Sequence, residues 1–383
     1  MNFASSDRLS KIFTYLPISD PETPVNSPTT FPFNSLVDTK CFVGLEVEVE
    51  KLASLSSLGD FSIFPGMFYW KCVEDGSLRN KGKEFVSLPV RGKQLIHAVY
   101  ELDNYLRTKH PNHVFSQRTG LHIHINVRYM TADQLMRFII LYLVVENLFY
   151  LQAGKDRISN NFCVPVNQSK FGVALPEVFH KLSKGEIEEA LYTLTNDWKK
   201  YTGFNLLPLK TLGTVEFRHY QGTSDPNFIL NQVNLILSMR KFALSHSMDT
   251  IRRILNSLNT TSTYVHFVEQ VFGTDLNMSY ASLKEALEDN VTSAKQILSI
   301  SDSSKHNYPT KDSPLFNRLS VKTSSYSNLE ELRVKYLEFQ AAISASGVDT
   351  SLNHYIYRNL KANSSFNQVK KLTERKQKGY LFK

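Results

Sequence analysis

Residues 42–50 read FVGLEVEVE, and from Leu45 to Glu50 apolar and acidic residues alternate without a break. Alternation with a period of two marks a strand with one buried face, so Leu45, Val47 and Val49 point one way and Glu46, Glu48 and Glu50 the other. Two further stretches repeat the pattern. Residues 120–127, GLHIHINV, set Leu121, Ile123, Ile125 and Val127 against His122, His124 and Asn126. Residues 213–220, GTVEFRHY, set Val215, Phe217 and His219 against Glu216, Arg218 and Tyr220. Between the first two, the strand-like pieces FYWKCV and EFVSL flank a polar turn, EDGSLRNKGK.

Helical periodicity fills the intervals. It runs over about 92–109, from a Thr131 cap to about 151, and over about 184–200, 225–247, 279–299 and 328–344. Strands with polar groups on one face, separated by long helices, predict an α+β fold. Its predominantly antiparallel sheet carries helices on one face, and the C-terminal region is helical. The chain divides into an irregular Pro, Ser and Thr-containing arm (1–38), a core (39–250), a mostly helical extension (251–350) and a basic tail (351–383).

At 383 residues, 42% hydrophobic and 21% charged, the chain can bury a full core, which excludes a wholly disordered or collagen-like protein. Cys41, Cys72 and Cys163 are isolated and form no CxxC pair, so neither a disulfide framework nor a thiolate zinc site is expected. The most apolar run, 138–145, lies between Arg137 and Glu146 and is too short to span a bilayer. With no signal-peptide pattern at the start, a soluble, cytoplasmic protein is the expectation. The net charge of +8 is concentrated in residues 351–383, where eight Lys and Arg face Glu374 alone; the rest carries +1. That run reads as a solvated tail or a docking element for an acidic partner, and nucleic acid is not expected.

Three carboxylates on one strand face usually mean an exposed polar face. Here they repel with no interleaved Lys or Arg, an arrangement more at ease around a hard divalent cation. A lone His on a strand is more often structural than a ligand, but the His-x-His spacing of His122 and His124 strengthens the ligand reading. Glu216 and Arg218 read either as an in-strand salt bridge or as a cation carboxylate beside a phosphate-binding guanidinium. Glu84 alone reads as surface decoration.

Their succession is more specific: GLEVEVE, EDGSL, GKEFVSLP, GLHIHIN, then TVEFRHYQGT. It resembles the amidoligase family of the glutamine synthetase and glutamate–cysteine ligase superfamily over about residues 42–223. The resemblance implies a sheet of the glutamine synthetase catalytic-domain type and an ATP-dependent carboxylate–amine ligase, with two or three Mg²⁺ or Mn²⁺ ions. It assigns Glu46, Glu48, Glu84, His122 and Glu216 to the metals, His124 to a nucleotide phosphate and Arg218 to charge developing during phosphoryl transfer. Asn126, Arg157 and Asn205 stand at positions similar to nucleotide contacts. Asp75 or Glu50 would orient or deprotonate the amine. The superfamily's second acid on the strand of Glu84 has no counterpart in the sequence. Substrates implied are small-molecule, peptide or protein acids and amines, in some relatives beside a glutamine amidotransferase. Rival readings are a metal-dependent amide hydrolase and an inactive binding protein of the same fold.

Overall fold

A computed structural model describes residues 4–21, 32–33, 35–52, 67–154, 156–169, 171–198, 200–273, 284 and 287–302. The helix expected at 328–344 and the basic tail at 351–383 lie outside the described residues.

All three alternating stretches are strands: β1 (Val43–Val49), β4 (Gly120–Asn126) and β6 (Thr214–Gln221). The polar turn joins β2 (Trp70–Val73) to β3 (Lys83–Ser87), and a two-residue strand, β5 (Phe204–Asn205), escaped the sequence pattern. The six form one sheet, ordered β2-β3-β1-β4-β6-β5, with every pairing antiparallel. Register places Glu48 opposite Glu84, Glu46 opposite both Val86 and His122, and His124 opposite Glu216, which faces Asn205 on its other side. Directly opposed residues share a face, so this pairing gathers the polar groups of five strands on one surface.

Between Leu121 and Ile123 the β4–β6 register shifts. The extra residue on β6 is a bulge, and it corrects the expected alternation. Tyr220 pairs with Leu121 and is fully buried near Phe228, not beside Arg218.

The helices are α1 (Leu9–Ile12), α2 (Gly92–Lys109), α3 (Ala132–Ala153), α4 (Phe171–Lys184), α5 (Ile187–Tyr192), α6 (Pro208–Thr211), α7 (Pro226–Ser245), α8 (Met248–Ser257), α9 (Thr261–Phe272) and α10 (Thr292–Asp302). Thr131 caps α3 as expected, in a reciprocal capping box: its hydroxyl accepts from Gln134 N at 3.1 Å and the Gln134 side chain accepts from Thr131 N at 2.9 Å. In place of one helix over 184–200, the chain turns at Gly185 (φ +83°), ends α4 there and restarts at Ile187. Pro176 lies inside α4, which local propensity disfavours and tertiary packing tolerates.

By length and composition α3 could cross a membrane, yet 83% of its most apolar window is buried inside the fold. Phe138 packs edge-on against Phe204 and Phe217 of the sheet. On its other side Tyr264 and Asn290 donate to the Val144 and Leu143 carbonyls. Helices α8 to α10 contribute Leu255, Phe267 and Ile297 to the same hydrophobic cluster as β1 and β4.

Candidate active site

Strand alternation aims the acids, and the register sets their distances. Glu46 lies between both imidazoles: its Oε2 is 2.9 Å from His122 Nδ1 and its Oε1 is 3.1 Å from His124 Nε2. Burial opposes the charge on Glu46, but the fields and hydrogen bonds of His124 and His122 hold its carboxyl well below the usual range. His124 is correspondingly raised against its own burial by Glu46 and Glu216. Glu216 lies 3.6 Å from His122 Nδ1 and pairs closely with Arg218 Nη1; Arg218, His124 and His122 lower it despite burial. Arg218 is itself buried and leaves Nε without a hydrogen-bond partner among the described residues.

On the β3 side the balance reverses. Glu48 is raised by burial although Gly120 N donates to its Oε2 at 2.6 Å. Glu84 is pushed up to about 9, by burial first and then by the charges of Glu46, Glu48 and Asp75. This protein therefore keeps a proton on Glu84 at neutral pH, because its neighbours cannot all ionise without a compensating cation. Three sets of potential ligand atoms each lie within 4.8 Å of one another: Glu46, His124 and Glu216; Glu46, Glu84 and His122; Glu48, Asp75 and Glu84. Two of the sets join carboxylate oxygens to one imidazole each and the third offers carboxylates alone, donors that could hold divalent cations.

Asp75 reaches the third set from the turn after β2, where its Oδ1 accepts from Ser77 N at 2.6 Å and shapes the loop. Glu50 is buried too, but its carboxylate accepts from Arg79 N at 2.8 Å and so ties down that same turn. Its position makes it an anchor for the turn that carries Asp75. Arg157, the expected nucleotide contact, is buried, and its guanidinium donates to the carbonyls of His219 (3.0 Å) and Arg218 (3.1 Å), bracing β6 across the bulge. Asn205 stands behind Glu216, donating to its Oε2 at 2.6 Å and leaving Oε1 toward the imidazoles. Asn126 remains on the polar face beside His124, its Oδ1 accepting from Arg128 N at 3.0 Å.

One contributor, Thr214, went unnoticed in the sequence, whereas Gly120, just ahead of the His-x-His pair, reads there as a glycine that lets the backbone approach closely. Thr214 Oγ1 lies 3.0 Å from His124 Nδ1, fixing the ring so that Nε2 faces Glu46; strand parity with Glu216 was its available signal. Gly120 lets β4 pass close to the acids, since a Cβ there would meet His122 Nε2 at 2.8 Å and Glu48 Oε2 at 3.3 Å. Of the aromatics flanking the motifs, Tyr69, Trp70 and Phe204 are core residues.

No curated protein matches the chain at a significant level. A family model described as "putative amidoligase enzyme" does match, over residues 43–239, which takes in all six strands and every acid, imidazole and guanidinium just described. With more than half of its length under that model and the polar face intact, the chain belongs to the amidoligase family of enzymes.

Proposed function

We propose that this protein is an ATP-dependent carboxylate–amine ligase that forms an amide or isopeptide bond at two or three Mg²⁺ or Mn²⁺ ions. The observation carrying this reading is the convergence of Glu46, Glu48, Glu84, Asp75 and Glu216 with two imidazoles and Arg218 in one cluster on the polar side of the sheet. The ions would be held by the three ligand sets, with Asp75 standing in for the acid missing from the strand of Glu84. Bound ATP would supply activation: a carboxylate oxygen takes the γ-phosphoryl group as ADP leaves, and amine attack on the acyl carbon then expels phosphate.

The chain's own residues do the rest. Arg218, buried and with Nε unspent, stabilises charge building on the transferred group. Thr214 and Asn205 hold His124 and Glu216 in their orientations. Asp75, itself a member of the third set, is also placed to orient or deprotonate the amine. The reading includes a sheet of the glutamine synthetase catalytic type and a cytoplasmic setting in which Cys41, Cys72 and Cys163 stay as free thiols. It also includes acids and amines of small-molecule, peptide or protein origin, with a glutamine amidotransferase as a source of ammonia.

The test is ADP release by the purified protein with Mg²⁺ or Mn²⁺ and panels of acid–amine pairs. Turnover that requires both substrates and disappears in Glu48→Ala is expected. A protein that neither binds nor turns over nucleotide, or a Glu48→Ala variant with unchanged turnover, overturns the assignment.

A further inference from the structure

A cavity of about 230 Å³ lies on the polar face beside the cluster, and its polar lining is Glu46, His124, Thr214, Ser87, Asn126 and Arg128. Its walls are otherwise mostly apolar: Phe42, Val86 and Pro89 from the sheet side, Leu212 from the loop before β6, and Ile18 from the N-terminal arm. Ile18 lies outside the segment that the family model matches.

The arm is fastened on both sides of Ile18. Before it, Leu9 is fully buried and its N–H donates to Met130 O at 2.9 Å. Tyr15 OH donates to Leu209 O at 2.9 Å, and the Arg128 guanidinium stacks on the Tyr15 ring at 4.9 Å while donating to the Leu16 and Leu212 carbonyls. After it, Asp20 accepts from Arg91 Nε at 2.8 Å, and Gln94 donates to Pro21 O at 2.6 Å. Arg91 also stacks on Phe42 at 4.6 Å, so one side chain holds both the roof and a wall. An exposed peptide segment with anchors on either side of one inward residue is a strap over the cavity.

The size and polarity of this space select an occupant. At 230 Å³ it is smaller than the roughly 300–1,000 Å³ that encloses a drug-sized ligand, so it holds one ring system rather than a whole substrate. Apolar walls suit a flat ring, and Glu46 and His124 in the same lining belong to the cluster that would carry cations and phosphates. Asn126 lies in the wall, and its amide NH₂ donates to nothing among the described residues, which leaves it able to read a ring nitrogen.

We propose that the N-terminal arm completes the site: Ile18 roofs a slot for the base of the nucleotide, and Asn126 donates to the ring edge. This rests on the ligase reading above but is separable from it. The experiment measures binding of ATP and of inorganic tripolyphosphate to the full chain in Mg²⁺, in the wild type and in Ile18→Trp, which fills the slot. ATP affinity should fall at least tenfold while tripolyphosphate affinity stays within twofold. Because the bulk of Ile18→Trp can also distort the arm, Ile18→Ala supplies a gain of function: it should accept an ATP analogue benzylated on the exocyclic amino nitrogen of the base, which the wild type rejects. Equal effects on both polyphosphates, no effect on either, or rejection of the analogue by Ile18→Ala overturns the assignment of the arm and leaves the ligase reading standing. A wild type that binds neither polyphosphate overturns both.

Discussion

Removing one of the proposed metal ligands should make the metal-free protein more stable. Glu84 has a folded pKa of about 9 against an ordinary value of 4.5, raised first by burial and then by Glu46, Glu48 and Asp75. An acid with a raised folded pKa weakens the fold as pH climbs from its unfolded value toward its folded one, because only the unfolded chain releases the proton. Below pH 4.5 there is no penalty. At pH 8 the difference spans about 3.5 pH units, a ceiling of about 5 kcal/mol at roughly 1.4 kcal/mol per unit. Glu84 is only half-buried by exposure, and solvent reaching it reduces this to about 2 kcal/mol. Glu84→Gln keeps the shape and abolishes the titration. In thermal melts with EDTA, the variant should match the wild type at pH 5 and melt about 2–4 °C higher at pH 8. Added Mn²⁺ should then raise the wild type more than the variant, since cation binding relieves the repulsion only where the fourth acid is present. Equal melting at pH 8 with equal gains from Mn²⁺ would refute both the crowding argument and the place of Glu84 in a cation site.

Three other outcomes follow from the geometry. Gly120→Ala drives a Cβ against the ends of His122 and Glu48, so the fold should survive while Mn²⁺-dependent stabilisation is lost; isothermal titration of Mn²⁺ checks this. Asn205→Ala and Thr214→Val release Glu216 and His124 from their supports and should each weaken Mn²⁺ binding by about 10–100-fold, with Thr214→Ser restoring it; full affinity in Thr214→Val would remove Thr214 from the site. His219, fully buried among Phe149, Tyr150 and Phe217, is lowered to about 3 by burial, so it contributes stability that is lost as pH falls from 6.5 toward 3. His219→Phe should spare about 2 kcal/mol of that loss at pH 5, read as the wild-type-minus-variant difference in denaturant melts; an unchanged difference between pH 7 and pH 5 would show that the ring is not buried neutral.

Alternation and capping are local, and for that reason they were legible in the chain. A residue's parity along β1, β4 and β6 is set by backbone geometry alone, so the acidic, imidazole and guanidinium groups could be assigned to one face before any contact was known. Thr131 and Gln134 lie three residues apart and announce the start of α3 by themselves. Residue types also limited the chemistry, since crowded carboxylates with His-x-His favour hard cations.

Tertiary structure decided what depends on pairing between distant segments. Whether Glu48 faces Glu84 or a neighbour one step away is set by turns and packing remote from both, and a slip of one residue would have turned either acid into the core. The bulge that buries Tyr220 has no local signature, because it answers to the pairing of β6 with a strand about 95 residues earlier. Asp75 joins the cluster, Glu50 and Arg157 brace backbone, and Asn205 supports Glu216 for the same reason: each role is fixed by a partner brought close only by the sheet. The arm is the extreme case. Its sequence shows no period and predicts nothing, yet the Gln94 side chain of α2, the Arg128 side chain before α3 and the Leu209 carbonyl of α6 hold it across the polar face.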